Sequence, residues 1–226
     1  MGAQTYPRFE VFVYDDGSDE PMLTWVREAV AELGEAAHVV KFLEHERQRK
    51  PDDPDGHPGY PRWAKQYNTV FPQSRGQIVG ILSSDWMPEP DFLSTVAGHL
   101  EHLGPGNMVF GDVPEQKVTK AFYPEGATSG LYPVYDFTAA DTRNQNFLWR
   151  QDWQDWDETF DEFGFGHAMP YWNASVVKKG RCKLWVSLDM KARENMHDNP
   201  PEFIDQVNAS ARYYVGRMEP WKTPLK

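Results

Sequence analysis

Phe9-Glu10-Val11-Phe12-Val13-Tyr14-Asp15-Asp16-Gly17-Ser18 is the stretch that decides the fold. A run of strand-forming residues ends in two carboxylates, a glycine and a serine. A helical pattern follows Glu20-Pro21. A buried parallel strand of this kind delivers Asp15 and Asp16 to its carboxyl edge, where α/β sheets bind ligands. Gly17 permits a tight turn, and Ser18 is placed to cap the next helix. Two adjacent acids suit a partner that donates hydrogen bonds, such as a nucleobase N–H or ribose hydroxyls. They would repel bare phosphate. A strand followed by a solvated acidic turn is the competing reading, because these turn residues are common.

Working outward, residues 9–14 read as a strand and residues 19–33 as an amphipathic helix, with Met22, Trp25, Val26, Ala29, Val30 and Leu33 on one face. Gly34 is its stop. Residues 37–43 form a second strand, and a charged loop rich in Pro, Asp and Gly runs from Glu44 to Tyr60. Pro61 starts a helix carrying Arg62, Trp63, Tyr67 and Asn68. Gly76 to Leu82 is a third buried strand, ending in Ser83-Ser84-Asp85-Trp86. A helix over 91–103 and a strand over 108–110 follow. Such alternation predicts an α/β sheet, mostly parallel and flanked by helices. Beyond residue 112 the pattern is less regular: a strand over 116–123, a loop over 124–144, and helices over 170–179 and 201–214. No linker divides the chain, so one domain over 1–226 is expected.

The 226 residues are 40% hydrophobic and 14% aromatic, enough to build a core. Trp153, Trp156, Trp172 and Trp185 read as part core and part binding platform, since an indole joins an apolar body to a polar handle. A net charge of −11 disfavours a sequence-blind nucleic-acid binder. Lys178, Lys179, Arg181 and Lys183 still offer a local basic strip. Cys182 is the sole cysteine, which excludes an intrachain disulfide, fits a reducing compartment and reads as packing. No apolar run reaches the length of a membrane span and no signal peptide opens the sequence, so a cytoplasmic location is expected.

Asp15-Asp16 end one strand, Asp85 ends another, and Arg62 lies on the helix leading into the second. A carboxylate at a strand end can hold a divalent cation that bridges two phosphates. An arginine nearby can neutralise phosphate or fix a base. Paired acids for a nucleoside plus a carboxylate for its diphosphate make a nucleotide-sugar site.

With these residues in place, the chain resembles the inverting family 2 glycosyltransferases of GT-A fold. Residues 3–11 with Asp15-Asp16-Gly17-Ser18 look like that family's nucleotide-binding segment. Arg62-Trp63-Ala64 with Asn68, then Gly76 through Leu82, look like its next block. Ser83-Ser84-Asp85 falls at its Asp-x-Asp metal motif, with Ser83 in place of the first acid. Phe160-Asp161-Glu162 resembles a recurrent Phe-Asp-Glu of the acceptor half. His197 falls where many members complete the metal site. Family members begin with a further strand and helix; here eight residues precede Phe9, so that first strand is expected to be missing. The family's Glu-Asp before the acceptor-side helix is not evident in 167–173, where Asn173 occupies the position expected of the base.

The resemblance implies transfer of a sugar from a nucleotide diphosphate donor, UDP first, to a hydroxyl acceptor with inversion. The acceptor is a saccharide, a protein or a hydroxymethylated DNA base. Asp15, Asp16 and Ser18 would contact the nucleoside, and Arg62, Ser84 and Asp85 the diphosphate. Asp85 and His197 would hold Mn²⁺ or Mg²⁺. Glu162, Asp161 and His167 compete as the base, Glu162 first, because the acceptor proton must pass to a carboxylate or imidazole. The rival from another class is a non-catalytic nucleotide-binding relative.

Overall fold

The computed structural model describes residues 4–15, 20–32, 40–44, 63–83, 86–111, 123–134, 145–158, 172, 175–177 and 179–194. The expected loop over 45–60, the helix over 201–214 and all but Tyr123 of the strand over 116–123 lie outside them.

The elements are β1 (Val11–Asp15), α1 (Glu20–Glu32), β2 (Val40–Glu44), α2 (Trp63–Val70), β3 (Ile78–Gly80), β4 (Trp86–Pro88), α3 (Phe92–Leu103), β5 (Asn107–Gly111), β6 (Leu131–Val134), β7 (Asn146–Trp149), β8 (Lys183–Ser187) and β9 (Ala192–Glu194). β1 and β2 pair in parallel, from Val11↔Val40 to Asp15↔Glu44. That is the β-α-β unit read from the opening stretch. Within α1, Val26, Ala29 and Val30 are partly buried. Trp25 lies at the edge of the predicted stripe and is 64% exposed, so it does not belong to the buried face.

The main sheet has the order β3-β7-β5-β8-β6. Only β5 and β8 run parallel; β3·β7, β5·β7 and β6·β8 are antiparallel. The expected mostly parallel sheet is therefore corrected to a mixed, mostly antiparallel one. The reason is β7, which inserts between β3 and β5 and runs against both. β6 lies inside the stretch read as loop, and β8 starts at Lys183, the last residue of the expected basic strip.

Strand alternation divides the core into two faces. Met108 and Phe110 of β5, Leu148 of β7, and Leu184 and Val186 of β8 face a cluster containing Ala64, Phe71, Trp156, Trp172 and Val176. Val109 and Phe147 face the other way, onto Phe92, Val96 and Leu100 of α3. β5 is buried along its whole length. Each large apolar side chain buried this way contributes about 1.5–3 kcal/mol, so the central strands and the two layers on them carry the stability. Cys182 is buried in the first cluster, as expected of a packing residue. Burial first, then the Asp152 carboxylate, pushes its thiol up to about 12, so it stays protonated and unreactive at neutral pH.

Candidate functional site

Beyond β3 the chain keeps its pairing for one more residue, with Ile81 N–H donating to Asn146 O at 2.9 Å. It then turns, and Trp86 N–H donates to Ser83 O at 3.2 Å. Ser84 and Asp85 sit between those two residues in sequence, and both lie outside the described residues. β4 starts at Trp86 and pairs antiparallel with β9 in the register Trp86↔Glu194, Met87↔Arg193, Pro88↔Ala192. The start of β4, just after Asp85, therefore lies against the end of β9, three residues before His197. The connection to α3 fixes this ribbon at its other end: Glu89 N–H donates to Lys191 O at 3.0 Å, and Arg193 Nε lies 3.4 Å from Glu89 Oε1.

Asp15 closes β1, with its Cα paired to that of Glu44. Among the donor-site candidates it alone has a described backbone; Asp16, Ser18, Arg62, Ser84, Asp85 and His197 lie outside the described residues. The neighbouring chain is well tied. The Glu10 carboxylate accepts from the backbone N–H groups of Arg75 and Gly76, which joins the entry of β1 to the entry of β3. Gln4 and Thr5, which belong to the segment likened to a nucleotide-binding one, engage α3 instead. Gln4 Oε1 accepts from Leu93 N–H at 3.0 Å, and Thr5 N–H donates to Pro90 O at 2.7 Å. The helix's own Asp91 makes no side-chain cap, so Gln4 supplies one.

Asp161, Glu162 and His167 also lie outside the described residues. The two points between which they are strung are described. Asn68 Nδ2 donates to Trp156 O at 3.0 Å and to Glu158 Oε1 at 2.9 Å, and Asn68 Oδ1 accepts from Trp156 N–H at 2.8 Å. Trp172 Nε1 donates to Gln154 O at 2.8 Å. The Trp156 and Trp172 rings stack with centroids 5.1 Å apart and planes inclined by 11°. Trp153 packs on both rings and stacks on Phe71. Trp156 and Trp172 are thus core, Trp153 borders the same cluster, and Trp185 borders the α3 side.

Sequence reasoning missed a polar cluster at the end of β8. Ser187, fully buried, accepts at Oγ from Asp189 N–H at 3.1 Å and Met190 N–H at 3.2 Å, and lies 2.8 Å from His99 Nε2 on α3. Both Asp189 carboxylate oxygens accept from Gly130 N–H, at 3.2 and 3.1 Å. The signal was available: Leu184-Trp185-Val186-Ser187-Leu188-Asp189 ends an apolar run in polar residues, as Val13-Tyr14-Asp15 does. Gln145, fully buried at the same end of the sheet, donates to Gly111 O at 3.2 Å and leaves its Oε1 without a partner.

No family model matches the sequence, and no curated protein matches it. Solved structures do. TarS of S. aureus aligns with a TM-score of 0.55 at 16% identity, over 96% of this chain and 36% of its own. A mycobacterial protein aligns with a TM-score of 0.53 at 17% identity, over 96% of this chain and 65% of its own. The chain thus spans about a third of the first and less than two thirds of the second. The likeness is one of fold. Among the described residues, no three His, Cys, Asp or Glu side chains gather to hold a metal ion, and no helix is long and apolar enough to cross a membrane.

Proposed function

We propose that the chain is a glycosyltransferase that moves a sugar from a nucleotide diphosphate, UDP first, to a hydroxyl acceptor with inversion. The likeness to TarS, itself a teichoic acid glycosyltransferase, supports glycosyl transfer in general terms. The observation that carries the reading is the Trp86↔Glu194 register. It sets Trp86, the residue after Asp85, opposite Glu194, three residues short of His197, which supports reading those two as ligands of one metal. One carboxylate and one imidazole suit a divalent cation that keeps further positions for diphosphate oxygens and water. Bound there, Mn²⁺ or Mg²⁺ would neutralise charge on the departing diphosphate.

The remaining roles fall to the chain itself. Asp15, Asp16 and Ser18 orient the nucleoside, and Arg62 and Ser84 hold the diphosphate. Glu162 takes the acceptor proton, with Asp161 and His167 as its competitors. The acceptor hydroxyl attacks the anomeric carbon from the face opposite the leaving group, so one displacement inverts the centre. Lys179, Arg181 and Lys183 are all exposed, which favours a polyanionic acceptor such as modified DNA as the second reading. The non-catalytic alternative draws on Ser83, which stands where an acid is usual.

Incubation with UDP-, GDP- and TDP-sugars and Mn²⁺, scored for release of the nucleoside diphosphate, tests the proposal. Slow hydrolysis of one nucleotide class is expected. Absence of hydrolysis, together with no thermal stabilisation by any of the three diphosphates, would overturn it.

A further inference from the structure

The cluster at the end of β8 has a job that the proposed transfer does not explain. Ser187 Oγ accepts two backbone N–H groups, which occupies both lone pairs. Its hydroxyl proton needs an acceptor, and His99 Nε2 stands 2.8 Å away. The bond therefore requires a neutral imidazole with its proton on Nδ1. The residues so held form the turn from β8 into β9. Asp189 in that turn binds Gly130 N–H, Leu188 N–H donates to Gly130 O at 3.0 Å, and Met190 is buried against α3's cluster. β9 then pairs with β4. An unbroken series of contacts thus runs from His99 through Ser187 and the turn to the ribbon of β4 and β9, which begins one residue after Asp85 and ends three before His197 in sequence.

We propose that His99 is a positioning residue and a proton-operated latch for the β4–β9 ribbon. Neutral, it accepts the Ser187 hydroxyl and holds the β8–β9 turn. Protonated, it loses that acceptor and turns an N–H towards a Ser187 oxygen whose lone pairs are already taken. Asp189 Oδ2, 4.0 Å away, becomes the better partner. A swing towards it draws Asp189 off Gly130 and loosens the turn. The titratable groups acting on His99 are Asp189 in the turn, which favours the charged ring, and His102 on its own helix, which opposes it. Burial, with His102 in the same direction, outweighs Asp189 and holds the imidazole below its usual range. The sign follows from that depression. Below the usual histidine value the unfolded chain binds the proton that the folded chain resists. The latch's contribution is complete above that value and is lost as pH falls through the folded one.

The role assigned to the ribbon rests on the donor-site reading; the latch itself does not, and the experiment separates them. Amide hydrogen exchange of Trp86, Met87, Ala192, Arg193 and Glu194, corrected for intrinsic rates, is followed between about pH 7.5 and pH 5, the span over which histidine titrates. Protection in the parent should be lost progressively as the pH falls. His99→Gln, whose amide oxygen can accept from Ser187 without titrating, should keep neutral-pH protection and lose most of the fall. Nitrogen NMR of the parent should show the Nδ1–H tautomer at neutral pH. An Nε2–H tautomer, or an unchanged pH response in His99→Gln, would overturn the latch. A parent that shows both signatures but no thermal shift with UDP and Mn²⁺ would uphold the latch and remove the donor-site reading.

Discussion

Asn68 and Trp156 grip each other from both sides: the Asn68 amide donates to the Trp156 carbonyl at 3.0 Å and accepts the Trp156 N–H at 2.8 Å. One side chain on α2 thereby fixes the backbone just before the segment with the candidate bases. Asn68→Ala leaves both Trp156 backbone groups unpaired at a partly buried site. A loss of about 1–3 kcal/mol is expected. In urea unfolding the midpoint should fall with the slope unchanged.

Gln4 should behave as a helix cap despite its 89-position separation from Leu93. Gln4→Ala removes the acceptor for Leu93 N–H and the donor to Glu89 O. The cost should match an ordinary capping loss, about 0.5–2 kcal/mol. Thermal unfolding reads it, and Gln4→Glu, which keeps the acceptor, should recover part of it.

Two glycines should respond to alanine with opposite signs. At Gly98, on the exposed side of α3, a new Cβ meets nothing within 4 Å. Gly98→Ala should therefore stabilise by about 0.4–1 kcal/mol through the unfolded chain. At Gly111 a Cβ would sit 2.7 Å from Gln145 Oε1 and 2.9 Å from the Met190 carbonyl oxygen. That backbone oxygen cannot rotate away, so Gly111→Ala should cost about 1–3 kcal/mol. Equilibrium denaturation of both variants checks the pair.

On the donor side, Asp85→Asn and Asp16→Asn should separate metal from nucleoside. Thermal stabilisation by UDP should rise with Mn²⁺ in the parent and fall on adding EDTA, because a ligand of the folded state alone raises the melting temperature. Asp85→Asn should lose the metal response. Asp16→Asn should keep that response and bind UDP poorly. Parent-like binding by both variants would refute the assignment of the two acids.

For the chemistry, Glu162→Gln should preserve donor binding and lower transfer by about 10²–10⁴-fold, since an amide keeps the shape but cannot take a proton. His167→Gln is its control. Near-normal transfer by Glu162→Gln beside an inactive His167→Gln would move the role to the imidazole.

Elements with strong local signals were legible in the sequence. β1, α1, α2 and α3 fall within a few residues of their expected bounds because each carries its own periodicity or its own stop. β7 was not legible: Asn146-Phe147-Leu148-Trp149 is four residues long, and only its tertiary neighbours make it a central strand. Lys183 and Arg181 drew attention to charge where alternation into Leu184 and Val186 was the structural message. The parallel arrangement was inferred from β-α-β order, which cannot see a later strand inserting in the opposite sense. Asp15 was legible as a strand end. Ser187 and Asp189 carry the same signature but were overlooked because nothing preceding them was read as a strand.

The Trp156–Trp172 stack has one more consequence, for tolerance to change. The intervening stretch departs from and returns to nearly the same place, whatever path it takes. Lengthening such a span alters its closure entropy only slowly, by about 0.6 kcal/mol for each doubling. The two rings therefore act as a socket. A change in the length of the span between them should therefore cost little, so long as both rings stay packed in the core.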